Sequence, residues 1–341
     1  MSATEEAGGR RVIPGWGHQP GLHCGSTALS DLMHFSGSPC SEALCFGLGA
    51  GLGFYYVELE GMSPSRMFHV RSSGLEPDFF DSLGIPFAWQ KTEDPEEAER
   101  SARAAVDRGF PVLLRTDIYH LDYYRSSTHF NGHVVVLWGY DDRLGQAFLS
   151  DTGWPGLQSV PFDSLRCARA SQAPPVPLRH DHFVAADLAP CREQATAIRE
   201  ALGRNARHML SPTGGNPSFA YGLEGLRILR ARLPTWAEAP DWKWCARFTY
   251  QVIEKRGTGG GAFRLLYQRF LEEAEAAIPS MRPHGLSARM GQIASLWSEL
   301  AGVLKEVSEA ASPAGLRRAG EVVEAVAARE EDFYRAVLSL G

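Results

Sequence analysis

Between Ser171 and Pro190 the chain carries Pro174, Pro175, Pro177 and Pro190. A stretch this rich in proline cannot be helix interior or a central strand; its prolines surround one short strand-like piece, His182-Phe183-Val184-Ala185, and the domain boundary is placed here. The apolar pattern changes across it. Upstream lie short runs rich in Val, Phe, Tyr and Leu, such as His133-Val134-Val135-Val136-Leu137, which read as buried strands. Downstream, apolar residues recur at helical spacing among Ala, Glu, Leu and Arg. Helices are predicted over Arg192–Leu210, Phe219–Arg232, Asp241–Arg256, Ala262–Ile278, Ser287–Ala310 and Ala314–Leu340. The division predicts an α+β domain over residues 1–190 and an all-helical domain over 191–341. A length of 341 residues with 44% hydrophobic content supports two cores of ordinary size.

Within the first half, the opening dozen residues are expected to fray. Pro20-Gly21-Leu22-His23-Cys24-Gly25 then turns into an amphipathic helix with Ala28, Leu29, Leu32 and Met33 on one face. Asp94-Pro95-Glu96-Glu97 is a helix start with cap, proline and acidic first turn, and that helix ends near Gly109. A buried strand follows over 110–117, then a long loop from Ile118 to Asn131. A hairpin closes the series: a strand from Gly132 to Gly139, a turn at 140–144, and a return strand over 146–151.

Cys24 stands at a helix start, where unpaired N–H groups and the helix dipole favour thiolate over thiol. A hairpin symmetric about Asp142 sets Gly139 opposite Gly145 and His133 opposite Asp151. Those two side chains then share a face, and a one-residue slip would separate them. Cys24, His133 and Asp151 thus form a nucleophile, base and orienter. The competing reading is a buried cysteine, a strand histidine and a turn-capping aspartate. Asp117, Tyr119 and Tyr123, at the start of the long loop, offer acidic and phenolic groups for a cationic amine, against the plainer reading of a solvated loop.

The bulk properties narrow the partners. A net charge of −6 gives no electrostatic footprint for nucleic acid or an anionic membrane. No apolar run reaches the roughly 18 residues of a membrane span, and the acidic, small N-terminus lacks a secretion signal's basic and apolar regions. The six cysteines show no CxxC pair, so reduced thiols and a cytoplasmic location are expected. His129 and His133 straddle a loop and a strand without an acidic partner at metal-site spacing, so no metal site is expected. Gly47-Leu48-Gly49-Ala50-Gly51-Leu52-Gly53 lacks the dinucleotide spacing and runs into a strand, so it reads as a tight backbone turn.

Several stretches carry a specific likeness: Gly21-Leu22-His23-Cys24-Gly25-Ser26-Thr27, Phe46-Gly47-Leu48-Gly49 through Phe54-Tyr55-Tyr56, Asp117-Ile118-Tyr119-His120-Leu121, and Gly132-His133-Val134-Val135-Val136 with Gly139-Tyr140-Asp141. They resemble the N-terminal domain of the butirosin-biosynthesis H-protein (BtrH-like) family. Ile253-Glu254-Lys255-Arg256-Gly257-Thr258-Gly259-Gly260-Gly261-Ala262-Phe263-Arg264 resembles the helical domain that commonly follows it. The resemblance implies a papain-like fold whose cysteine falls on Cys24 and whose histidine falls on His133, with Asp151 as the aspartate. It implies acyl transfer from a phosphopantetheine thioester on an acyl or peptidyl carrier protein to a small-molecule amine, with no bound cofactor, and leaves a homodimer open. Papain-like enzymes carry an oxyanion glutamine six residues before the nucleophile; here Gln19 lies five before it. Arg256, Gly259, Gly260 and Arg264 would then hold the phosphopantetheine phosphate at a helix start, unless the glycines only permit a tight turn. A cysteine hydrolase (amidase or peptidase) or a peptide cyclase on the same site, and a non-catalytic carrier-binding module, remain alternatives.

Overall fold

The computed structural model describes residues 4–6, 9–174, 176–212 and 218–340; Pro175 of the connector lies outside them. The chain forms two units. One comprises Met1–Cys45 and Gly84–Cys191, the other Phe46–Leu83 and Arg192–Gly341. In chain order the first stretch holds β1 (Thr4–Glu6), β2 (Arg10–Val12), α1 (Cys24–Phe35) and the start of α2 (Glu42–Leu48). The excursion into the second unit holds β3 (Leu52–Glu58), β4 (Arg66–Arg71) and α3 (Leu75–Leu83). The chain then returns with α4 (Pro95–Asp107), β5 (Val112–Thr116), β6 (His133–Asp141), β7 (Gln146–Ser150), β8 (Gln158–Pro161), α5 (Phe162–Arg169) and β9 (His182–Val184). The rest is α6 (Gln194–Leu210), β10 (Ala220–Tyr221), α7 (Gly222–Arg232), α8 (Trp242–Glu254), α9 (Arg264–Ala277), α10 (Leu286–Glu309) and α11 (Leu316–Leu338).

The first unit is built on an antiparallel sheet whose spine is β6. All nine residues of β6 are buried, as its Val-rich run requires. β5 pairs with its first half, Thr116 opposite His133, and β2 with its last three residues, Val12 opposite Gly139. β7 pairs along both stretches, so it must occupy the other edge. The N-terminal residues expected to fray are therefore partly in register: β1 and β2 form an antiparallel pair, and β2 covers the end of β6 that β5 does not reach. Gly139 accommodates that approach, since a Cβ there would lie 2.7 Å from the Arg11 carbonyl oxygen. α1 and α4 both pack against β6. Asp94 caps α4 as the sequence predicts, accepting from the Glu96 and Glu97 N–H groups.

The second unit corrects the sequence reading in two respects. Residues 46–83, assigned above to the first domain, belong to it, and it is not all-helical: β10, β3 and β4 form a three-stranded sheet. The cause is apolar packing at long range. Phe46 stacks on Phe263 with centroids 5.3 Å apart, and Phe54 and Phe68 pack on Trp297 at 6.2 and 5.7 Å. Strands and helices supply complementary halves of one core. The six C-terminal helices match the predicted ones to within a few residues at each end.

Candidate active site

Cys24 is the first residue of α1 and is nearly buried. Its helix start is fixed by two devices. His23 is the cap, its Nδ1 accepting from the Ser26 N–H at 3.2 Å. Glu42 Oε1 accepts from the Leu22 and His23 N–H groups, both at 2.8 Å, and from the hydroxyls of Ser26 and Thr27 at 3.3 and 3.1 Å. A carboxylate bonding several donors of the helix entry holds the turn before Cys24 rigidly. Sequence reasoning missed Glu42, which lies 18 residues downstream and reaches this turn only through the tertiary fold.

His133 begins β6, and Asp151 follows β7. His133 Nε2 donates to Asp151 Oδ1 at 2.8 Å. The contact matches the sequence expectation, but the register does not. Near the turn Asp141 faces Gln146 and Gly139 faces Phe148; beyond an irregularity between Leu137 and Gly139, Leu137 faces Leu149 and Val136 faces Ser150. His133 is therefore not opposite Asp151. The hairpin loop is displaced from the symmetric arrangement by an odd step, which alone would turn the two side chains to opposite faces. The bulge adds one residue and restores the parity, leaving His133 and Asp151 as diagonal neighbours on one face.

Two tyrosines complete the cluster. Tyr123 donates to Asp151 Oδ2 at 2.6 Å, and Tyr124 donates to Oδ1 at 3.2 Å while lying 3.3 Å from His133 Nε2. Burial by itself would raise the Asp151 pKa, but the His133 charge and these hydrogen bonds hold it below the usual carboxylate range. Burial likewise opposes the His133 imidazolium. Asp151 and Cys24 overcome it by charge and hydrogen bonding, and raise His133 to about 10. With Nε2 committed to Asp151, Nδ1 is the nitrogen left for the Cys24 sulfur. Burial and then the neighbouring carboxylate push both phenols above their ordinary range, so they remain donors. Tyr123 was expected to meet an amine ligand; it holds Asp151 instead. Tyr124 carried no sequence signal beyond its place in the loop. Tyr123→Phe is expected to cost about 1.5–3 kcal/mol in urea unfolding, the worth of a hydrogen bond to a charged group. Because the folded Asp151 pKa is depressed, that cost is present at neutral pH and shrinks as acid protonates the carboxylate.

The loop before Cys24 and the loop carrying Asp151 are tied directly. The Gly21 N–H donates to the Thr152 carbonyl at 2.8 Å. His18 spans the same gap, with Nδ1 2.6 Å from Asp31 Oδ2 on α1 and Nε2 3.1 Å from the Trp154 carbonyl. Burial works against its charge, but Asp31 raises its pKa on balance.

The other predicted residues lie elsewhere. Gln19 is exposed; its N–H donates to Asp31 Oδ1 at 3.2 Å, and it lines a cleft of about 400 Å³ with Pro20, Thr27, Ser30 and Glu42 that Cys24 does not line. The position six before the cysteine is His18. Asp117 is fully buried, and its carboxylate accepts from the Tyr119 and Phe130 N–H groups, His129 Nδ1 and the Ser171 hydroxyl, so it presents no free face to an amine. Tyr119 is 46% exposed and stacks on His129 at 4.1 Å. Arg264, expected at a phosphate, is fully buried in an ion pair with Glu330 in the second unit. Arg256 is exposed, donates to Gln251 Oε1 at 2.9 Å and lies over the Phe248 ring. Gly259 and Gly260 take positive φ values of 68° and 90°. Gly260 N–H donates to Thr258 Oγ1, and Gly261 N–H to the carboxylate of Glu254. Two of the loop's donors are thus engaged and the Glu254 carboxylate lies beside it, an arrangement that fits the tight-turn reading.

Against this geometry the comparisons with known proteins are direct. Residues 23–152 match the family described as Butirosin biosynthesis protein H, N-terminal. Residues 163–337 match the Domain of unknown function (DUF4872). The chain belongs to the BtrH-like family, its N-terminal domain followed by a DUF4872 domain. No curated protein matches it. The first match opens at the His23 cap and ends one residue beyond Asp151, so it spans Cys24, His133 and Asp151 together with Tyr123 and Tyr124. No helix among the described residues is long and apolar enough to cross a membrane.

Proposed function

We propose that this chain is a papain-like cysteine acyltransferase that moves an acyl group from a carrier-protein phosphopantetheine thioester to an amine through acyl-Cys24. The observation that supports it most is the division of labour on His133: Nε2 is held by Asp151, and the same imidazole hydrogen-bonds Cys24 at the start of α1. A helix bearing a cysteine at its N-terminus, packed on an antiparallel sheet bearing histidine and aspartate, is the papain-like arrangement. Membership of the BtrH-like family supports thioester and amine as the substrate classes.

The chemistry balances without a cofactor. The Cys24 thiolate attacks the thioester carbonyl, and N–H groups of the first helical turn stabilise the oxyanion. As the C–S bond to the donor breaks, the His133 proton passes to the leaving thiolate. Acylation removes the Cys24 negative charge, one of the groups that raises His133, so the neutral imidazole becomes a competent base. It takes the proton of the attacking amine; the amide forms, Cys24 leaves as thiolate, and the resting pair is restored. Exchange of a thioester for a thioester and then an amide runs downhill, so the protein's task is orientation and exclusion of water.

Intact-mass measurement tests this. With a panel of acyl thioesters the wild type is expected to gain one acyl mass, Cys24→Ala none, and added amine to convert the adduct into amide. An adduct that persists in Cys24→Ala would overturn the reading, as would carrier binding without any adduct. Release as free acid despite saturating amine would assign the site to hydrolysis.

A further inference from the structure

Asp117, His120 and His129 form a second cluster of titratable groups, and the proposed reaction uses none of them. Each offers one ligand atom, and the three atoms lie within 4.8 Å of one another. We infer that Asp117, His120 and His129 form a two-histidine, one-carboxylate site for a divalent transition metal of the zinc class, which clips the base of the loop between β5 and β6.

The cluster has the features of a ligand set with its supporting shell in place. Tetrahedral zinc with bonds of about 2.0–2.2 Å holds its ligand atoms roughly 3.3 Å apart, close to the spacing of a set whose atoms lie within 4.8 Å of one another. Asp117 Oδ2 and His129 Nδ1 are already 2.6 Å apart, bridged by a proton that a metal would displace to solvent. The Ser171 hydroxyl donates to the same Oδ2 at 2.6 Å, and Oδ1 is fixed by the N–H groups of Tyr119 and Phe130, which is how outer partners orient a metal-binding carboxylate. Tyr119 stacks on the His129 ring and fixes its plane. The half-buried His120 imidazole makes no hydrogen bond among the described residues, so both its nitrogens remain available. His129 is exposed, which gives an ion an entry path and open positions for water. Two imidazoles and one carboxylate suit zinc and its neighbours, not magnesium or calcium.

The placement gives the site a consequence. Asp117 and His120 precede Tyr123 and Tyr124, and His129 follows them. A metal bridging these ligands closes the loop that holds Asp151, lowering its freedom in the way a short cross-link does.

The test uses the full chain as Cys24→Ala, so that the thiol beside His133 supplies no ligand and the outcome is independent of the proposed acyl transfer. Titration with Zn²⁺ by calorimetry is expected to show one site per chain, with His120→Ala and His129→Ala each weakening it by more than about tenfold. Circular dichroism of both variants establishes that they fold. Zn²⁺ is also expected to slow tryptic cleavage after the exposed Arg125 in the parent, and not in His129→Ala. Absence of Zn²⁺ binding, or binding that both histidine variants retain, would overturn the inference.

Discussion

Replacing His133 by alanine is expected to lower acyl transfer by about a thousandfold, the range for loss of a general acid–base group. The pH dependence ties the effect to the observed pairing. Asp151 and Cys24 raise His133 to about 10 against the burial that opposes its charge. A raised folded pKa means that the ion pair is complete below the ordinary imidazole range and is lost as pH rises through the folded value. The acylation rate of the wild type is therefore expected to fall on the alkaline side with a midpoint near 10. Asp151→Asn removes the main charge that opposes burial, and its alkaline limb is expected to move down toward the ordinary imidazole value of 6.5. Single-turnover acylation of Cys24 across pH, read by intact mass, measures both. A limb that does not move in Asp151→Asn would mean that another group sets it.

The second large effect falls on stability. Arg264 and Glu330 are both completely buried. Arg264 Nε and Nη2 lie 2.9 and 2.8 Å from Glu330 Oε1, and Nη1 donates to the carbonyls of Val70 and Ala262. Trp297 Nε1 also donates to Glu330, at 2.8 Å. Removing one partner leaves a charge without compensation in a medium that cannot solvate it. Glu330→Ala is expected to destabilise the second unit by about 3–5 kcal/mol, and the paired replacement Arg264→Met with Glu330→Leu to recover most of that loss. Urea unfolding of Glu330→Ala, and of Arg264→Met, Glu330→Leu and their combination as a cycle, measures both effects. A loss below about 1 kcal/mol in Glu330→Ala would contradict the geometry. By the same argument Arg264→Ala acts on folding, which separates it from the phosphate-binding role that its place beside the glycine run suggests.

Local patterns were legible wherever the signal was confined to neighbours in the chain. The cap of α4, the periodicities of α1, α4 and the six C-terminal helices, and the β-branched run of β6 state their own conformation. Cys24, His133 and Asp151 were legible because a helix start and a hairpin are both short-range features. The hairpin argument nevertheless reached the correct contact through an incorrect register. No residue announces the bulge at Trp138, where the β6–β7 register shifts between Leu137 and Gly139.

The sequence by itself determined the type of each main element and the identity of the three residues that meet. Backbone propensity, capping and alternation are decided within a few residues, and apolar runs must be buried somewhere. Only the tertiary structure decided where. It placed residues 46–83 with the C-terminal helices, because Phe46, Phe54 and Phe68 find their partners about 200 residues further on. It buried Arg264 and Asp117, which a sequence reader takes for surface charges, because each meets its counter-group only in the fold. It brought Glu42, Tyr123 and Tyr124 to the ends of the Cys24–His133–Asp151 cluster. A charge or a hydroxyl carries no mark in the sequence of whether water or another side chain will satisfy it. That is settled by long-range packing, and here it separates the groups that hold Cys24, His133 and Asp151 in place from those that hold the fold together.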